Sequence, residues 1–168
     1  MSLVFEARVW KFPDNINTDL IIPSGSIYLS AQDQARLVFR ANRPGWVDEV
    51  QAGDIIIAGR NFGMGSSRPA ARSLKLLGIG CVLAESINGL FFRNCVSYAF
   101  PAMECPGITQ LFAEGDVAQV EFHSGSVRNT TSGKTATAKA LPPKLLDLLL
   151  AGGVYPLLEQ QGIIEPLA

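Results

Sequence analysis

Six consecutive residues, Gly63-Met64-Gly65-Ser66-Ser67-Arg68, hold the densest chemistry in the chain. Glycines let a backbone approach a ligand closely. Two adjacent hydroxyls add hydrogen-bonding groups, and an arginine adds a planar fork matched to a carboxylate. If this turn opens a helix, free N–H groups and the positive dipole end would favour an anion. The combination describes a site for a small carboxylate or phosphate. The plainer alternative is a tight strand-to-helix turn in which Ser66 or Ser67 is only an N-cap. Two other glycine motifs are excluded. No Gly-Lys-Ser/Thr follows, as a P-loop requires, and no glycine stands two residues after either serine, as a nucleophile elbow requires.

The flanking patterns say what must position this turn. Before it, Asp54-Ile55-Ile56-Ile57-Ala58 is a continuous apolar run of buried-strand type. After it, the spacing predicts a helix from about Arg68 to Leu77, stopped by Gly78, with Pro69 in the first turn where a missing N–H costs little. Further strands are expected over 4–11, 80–84 and 99–103, and helices over 32–41, before Pro44, and from Ser86 as N-cap to about Tyr98. After Gly115 the texture becomes polar alternation, with strands expected over 117–122, 126–131 and 135–139 and a hairpin around Gly133. Two helices close the sequence, over 145–150 and 154–161. Buried parallel-type strands with crossover helices predict an α/β fold, and 168 residues without linker or repeat predict one domain over 1–168.

Composition narrows the function classes. Hydrophobic residues make up 48% and charged ones 17%, the balance of a compact soluble protein. The net charge is -1 with no basic run, which argues against nucleic acid as a partner. No apolar run reaches membrane-spanning length and no signal-peptide pattern is seen, so no membrane association and a cytoplasmic location are expected. Cys81, Cys95 and Cys105 have no metal-binding spacing; Cys81 and Cys95 read as packing thiols and Cys105, before Pro106, as the more exposed one. His123, the single histidine, reads as a sheet-face or turn residue rather than as the base of a serine hydrolase. Trp10, Trp46, Phe91 and Phe92 read as core or interface residues.

Four stretches together resemble one family. The glycine-serine-arginine segment is similar to the signature of the aconitase swivel domain, whose free-standing version is the small subunit of 3-isopropylmalate dehydratase and its relatives. Trp10 to Pro23, containing Thr18-Asp19 before an apolar run and proline, resembles the family's opening. Ser86 to Asn94 resembles its Ser-x-x-x-x-Phe-x-Arg-Asn segment, and Phe100 to Met103 the strand after it. The resemblance spans about residues 8 to 125. It implies a three-layer β/β/α swivelling domain.

The resemblance also implies a reaction, in which a 2-hydroxy diacid loses water to an alkene and regains it with the hydroxyl on the adjacent carbon. Ser66 matches the serine that abstracts the proton, and Arg68 the clamp on the substrate carboxylate. Gly65 and Ser67 would supply turn donors around the developing anion. Asp19, the acid of the Thr-Asp motif, is expected to orient the arginine or serine, or else only to cap a turn. The loop Ser24 to Ala31 would meet the substrate's variable group, with Ile27 and Leu29 suited to an apolar branch unless they pack inward. It has no arginine before Ala31, which disfavours a third carboxylate. The family's chemistry also needs a 4Fe-4S iron–sulfur cluster acting as a Lewis acid. With no ligand pattern here, that cluster is expected on a large subunit, without which this chain is inactive.

One departure leaves the substrate open. Pro69 and Ala70 stand where the family commonly has glutamate and histidine. Leucine biosynthesis is the direct expectation. A related hydratase of methyl-substituted diacids, a homoaconitase small subunit, or a non-catalytic carboxylate-binding module are the alternatives.

Overall fold

The computed structural model describes residues 3–65 and 68–166. Its frame is a sheet that changes character at its first strand. Four strands run parallel: β1 (Val4–Phe12), β2 (Ile55–Ala58), β3 (Cys81–Ala84) and β4 (Ala102–Glu104). Three more continue antiparallel from the other edge of β1: β5 (Val117–Glu121), β6 (Ser126–Asn129) and β7 (Thr135–Thr137). Among the described residues the order is β4-β3-β2-β1-β5-β6-β7. The apolar runs become central strands because parallel strands bury both faces. Every residue of β2 and β3 is fully buried, and each such isoleucine or leucine contributes about 1.5–3 kcal/mol through burial.

Period-2 alternation divides these strands between two cores. Trp10, Phe12, Ile56, Ala58, Val82 and Ala84 face one layer. Helices α1 (Thr18–Ile21), α2 (Ala31–Ala35), α3 (Trp46–Glu49), α4 (Ala70–Leu76) and α5 (Gly89–Ser97) lie along the same stretch of chain, and Ile21, Trp46, Leu74 and Phe91 join that layer from them. Val9, Ile55, Ile57, Cys81 and Leu83 face the other. There they meet Ala118, Val120 and Val127 of the antiparallel strands. Ile108 of α6 (Ile108–Leu111) and Leu146 and Leu149 of α7 (Pro143–Ala151) complete that core. The antiparallel half therefore curls over the parallel half as a half-barrel, giving helix, sheet and sheet layers. This is the expected β/β/α architecture. A last helix, α8 (Val154–Gln160), contacts α7.

The strands and late helices lie where the residue patterns place them, with ends shifted by up to three residues. Three details differ. The helix expected over 32–41 stops at Ala35, because Phe39 turns to a left-handed backbone (φ 56°). That turn seats its ring in the core, stacked on Phe12 at 4.1 Å and edge-on to Trp46 at 5.0 Å. Packing outweighs helix propagation. Ser86 does not cap α5; Asn88 does, accepting from Leu90 N–H at 3.1 Å, and the Ser86 hydroxyl instead accepts from Asn61 N–H at 2.8 Å. Cys105 is fully buried rather than exposed, since its N–H continues the sheet to the Ala84 carbonyl at 2.8 Å.

Candidate functional site

The site lies at the carboxyl ends of the parallel strands, where open α/β sheets bind ligands. The loops leaving β1, β2 and β3 are zipped together there. Asn15 N–H donates to Arg60 O at 2.8 Å, Gly63 N–H to Ile16 O at 2.7 Å and Thr18 N–H to Met64 O at 2.8 Å. Phe62 N–H donates to Ser86 O, and Asn88 N–H to Phe62 O. The loop bearing the glycine turn is thus the middle member of three, held on both sides.

Its backbone takes left-handed conformations at alternate positions: Asn61 (φ 57°), Gly63 (φ 77°) and Gly65 (φ 104°). At Gly63 close packing also demands glycine, since a Cβ there would lie 2.2 Å from Cγ of Phe91. Phe91 is buried and edge-on to Phe62 at 5.3 Å. A Cβ on Gly65 would stand 3.3 Å from the Thr18 hydroxyl, tight rather than prohibitive. Ser66 and Ser67, the expected base and its neighbour, lie outside the described residues.

Arg68 is described, and its partners come from the first loop. Its guanidinium donates to the Ile22 carbonyl at 2.9 Å and pairs with the Asp19 carboxylate at 3.0 Å. Its side chain is 19% exposed against 63% for Asp19, so the arginine is held at the rim with its head in reach of a solute. Asp19 does not cap the turn. Asn17 does, its side chain accepting from Leu20 N–H at 2.8 Å. Of the two roles open to Asp19, the contact with the arginine is the one the geometry contains.

The start of the following helix departs from expectation. Pro69 (φ -76°, ψ 50°) is the N-cap position rather than part of the first turn, and Ala70 N–H donates to Arg68 O at 2.7 Å. That is an inverse γ-turn centred on proline. It spends the first helical N–H on the chain itself, so Arg68 rather than that N–H is the anion-directed group. Ala70 is completely buried.

The loop after Ile22 continues from the carbonyl that holds Arg68. A 3₁₀ turn over Ser24–Ser26 leads to Ile27, Tyr28 and Leu29, which are 57%, 89% and 44% exposed. Ile27 and Leu29 therefore do not pack inward. Tyr28, between them, was not singled out from the sequence, although an aromatic ring among serines and glycine was the available signal.

Several groups stay apart from the site. Cys95 lies in the helical core layer, whereas Cys81 and Cys105 lie in the other. Burial raises all three thiols. They do not converge as cluster ligands, and no group of three or more His, Cys, Asp or Glu among the described residues could hold a metal. His123 follows β5 in a turn, 54% exposed beside Glu121. Burial pushes the Glu85 carboxyl up, but hydrogen bonds from Thr109 and Gly107 outweigh it and leave it below the usual carboxylate range. Glu85 thereby ties the start of α6 to the end of β3.

Comparison with known proteins agrees with this fold. Residues 26–105 match the aconitase C-terminal domain. The chain is 38% identical over 163 residues to the isopropylmalate/citramalate isomerase small subunit of Methanocaldococcus jannaschii, covering 96% of this chain and 97% of that one. It is 41% identical over 152 residues to the 3-isopropylmalate dehydratase small subunit of Heliobacterium modesticaldum, covering 89% and 92%. The crystal structure of a 3-isopropylmalate dehydratase from Methanocaldococcus jannaschii superposes with a TM-score of 0.90 at 27% identity, over 96% of this chain and 97% of that one.

Proposed function

The chain belongs to the 3-isopropylmalate dehydratase small-subunit family, built on the aconitase C-terminal domain, and from that premise we propose that it is the small subunit of a two-subunit hydro-lyase acting on a 2-hydroxy diacid. It works as a single swivel-type domain over 1–168, in the cytoplasm, joined to a large iron–sulfur subunit. The 4Fe-4S cluster is assigned to that subunit, because the cysteines here belong to different cores.

In this reading Arg68 grips a substrate carboxylate with its planar fork. Asp19 and the Ile22 carbonyl hold that fork in one orientation. Ser66 removes the proton from the carbon next to a carboxylate. Gly65 and Ser67 supply donors to the charge that then develops, which is where preorganised donors are most effective. Ile27 and Leu29 meet the substrate's branch. The observation carrying the proposal is the anchored arginine beside the glycine turn, at the strand ends.

Two substrates fit. Isopropylmalate follows from the family, and a methyl-substituted diacid of the citramalate type from the Methanocaldococcus relative's name. The exposed loop bears apolar groups and a tyrosine but no arginine, which disfavours a tricarboxylate.

The test is assembly. The chain alone is expected to give no turnover, and co-expression with its large subunit to give dehydratase activity. In the assembled enzyme Ser66→Ala is expected to lower kcat by about 10²–10⁴-fold or more and to abolish exchange of the abstracted hydrogen with deuterated solvent. A near-normal kcat for the Ala variant moves the base elsewhere, and turnover by the isolated chain refutes the two-subunit reading.

A further inference from the structure

Ile27, Tyr28 and Leu29 are exposed on a turn whose first residue, Ser26, is buried, and the backbone of that turn is braced from beneath by a buried amide. Gln34, on α2, is 5% exposed. Its Nε2 donates to the carbonyls of Ser26 at 3.1 Å and Leu29 at 3.3 Å, the two ends of the turn carrying Ile27 and Tyr28. Its Oε1 accepts from the Arg72 guanidinium at 2.9 Å. Two carbonyls on one side and a cation on the other admit a single orientation of the amide. Arg72 lies in the first turn of α4, four residues after Arg68, and its buried Nε has no partner among the described residues. Its guanidinium thus donates to a neutral amide.

The geometry points to Gln34 and Arg72 as positioning residues that set the register between the substrate-facing turn and the segment bearing Arg68. Leu29 N–H closes the turn onto Ser26 O at 3.0 Å, and Gln34 fixes both ends of that link. α4 then transmits the position of the carboxylate clamp to the side chains that would meet the substrate's branch. This rests on the dehydratase reading of the site. It adds a pair of residues, outside the matched glycine-serine-arginine motif, through which branch preference is controlled.

Two measurements on the full chain test it. Gln34→Glu retains the pairing with Arg72 but turns a second acceptor toward two carbonyls. Arg72→Met removes the orienting donor, and Arg72→Lys restores one. By hydrogen–deuterium exchange, Gln34→Glu is expected to speed the Leu29 amide at least tenfold, with β2 and β3 unchanged. In the assembled enzyme, the ratio of kcat/KM between 2-hydroxy diacids bearing a methyl and an isopropyl branch is expected to shift at least threefold for Gln34→Glu and Arg72→Met, with kcat for the better substrate kept and Arg72→Lys intermediate. Unchanged exchange and an unchanged ratio overturn the proposal. So does a uniform loss of protection and of both activities, the mark of a merely structural role. Should Gln34→Glu not fold, the Arg72 pair decides alone. The exchange measurement needs no turnover, so it stands apart from the dehydratase reading, which fails if the wild-type assembly turns over no 2-hydroxy diacid.

Discussion

A guanidinium held by a carbonyl and a carboxylate is a directed group rather than a loose charge, and the difference is measurable at Asp19. Asp19→Asn keeps the shape and removes the charge. Because Asn17 performs the capping and Asp19 is largely exposed, the melting temperature is expected to stay within about 1–2 °C, as for most surface ion pairs. In the assembled enzyme kcat/KM is expected to fall about tenfold or more, the scale of a charge-assisted hydrogen bond. Unchanged steady-state kinetics would reduce Asp19 to an ornament of the loop. Both residues are readable in the sequence as motif members. Their meeting follows only from the family resemblance, as one of two roles for Asp19; no residue pattern gives it, because it depends on two loops running side by side across the tops of β1 and β2. Gln34 and Arg72 were unreadable for the same reason: neither belongs to a pattern, and their contact exists only once α2 and α4 pack.

The glycine turn shows what an element adds to a motif. Gly63 is required both by its backbone (φ 77°) and by the Phe91 ring behind it. Gly63→Ala is therefore expected to destabilise the chain by about 2–4 kcal/mol, combining a left-handed conformation with an overpacked core. Urea denaturation measures it, and a loss below about 1 kcal/mol would mean that Phe91 gives way. Continuous apolar runs such as Ile55 to Ala58 were legible because burial on both faces leaves no other placement for them. Boundaries set by tertiary contact were not. Phe39 breaks its helix to reach Phe12 and Trp46, Ser86 leaves its helix to bind Asn61, and Pro69 closes a γ-turn where a first helical turn was expected.

Across the molecule, the two halves of the sheet share β1, and charge helps to fasten them. Arg43 lies over the rings of Trp10 and Phe12 at 4.8 and 5.4 Å and reaches Glu114, just before β5, at 2.9 Å. The hydrogen bond from Arg43 holds the Glu114 carboxyl below its ordinary value. A carboxylate depressed in the folded state stabilises above its unfolded pKa, about 4.3. That contribution disappears as pH falls through the lower folded value. Wild type is accordingly expected to be more stable than Glu114→Gln at pH 6, with the gap closing as the pH falls below about 4. Thermal melts at several pH values check this, and a constant gap would leave the pairing without linkage to folding. The same two-core construction has a chemical consequence for the thiols. Each is sealed in a core and held protonated by burial, and thiolate, not thiol, reacts with electrophiles. A maleimide or disulfide reagent therefore meets these sulfurs only when a layer of the sheet opens, which makes the rate of alkylation a clock for the opening itself.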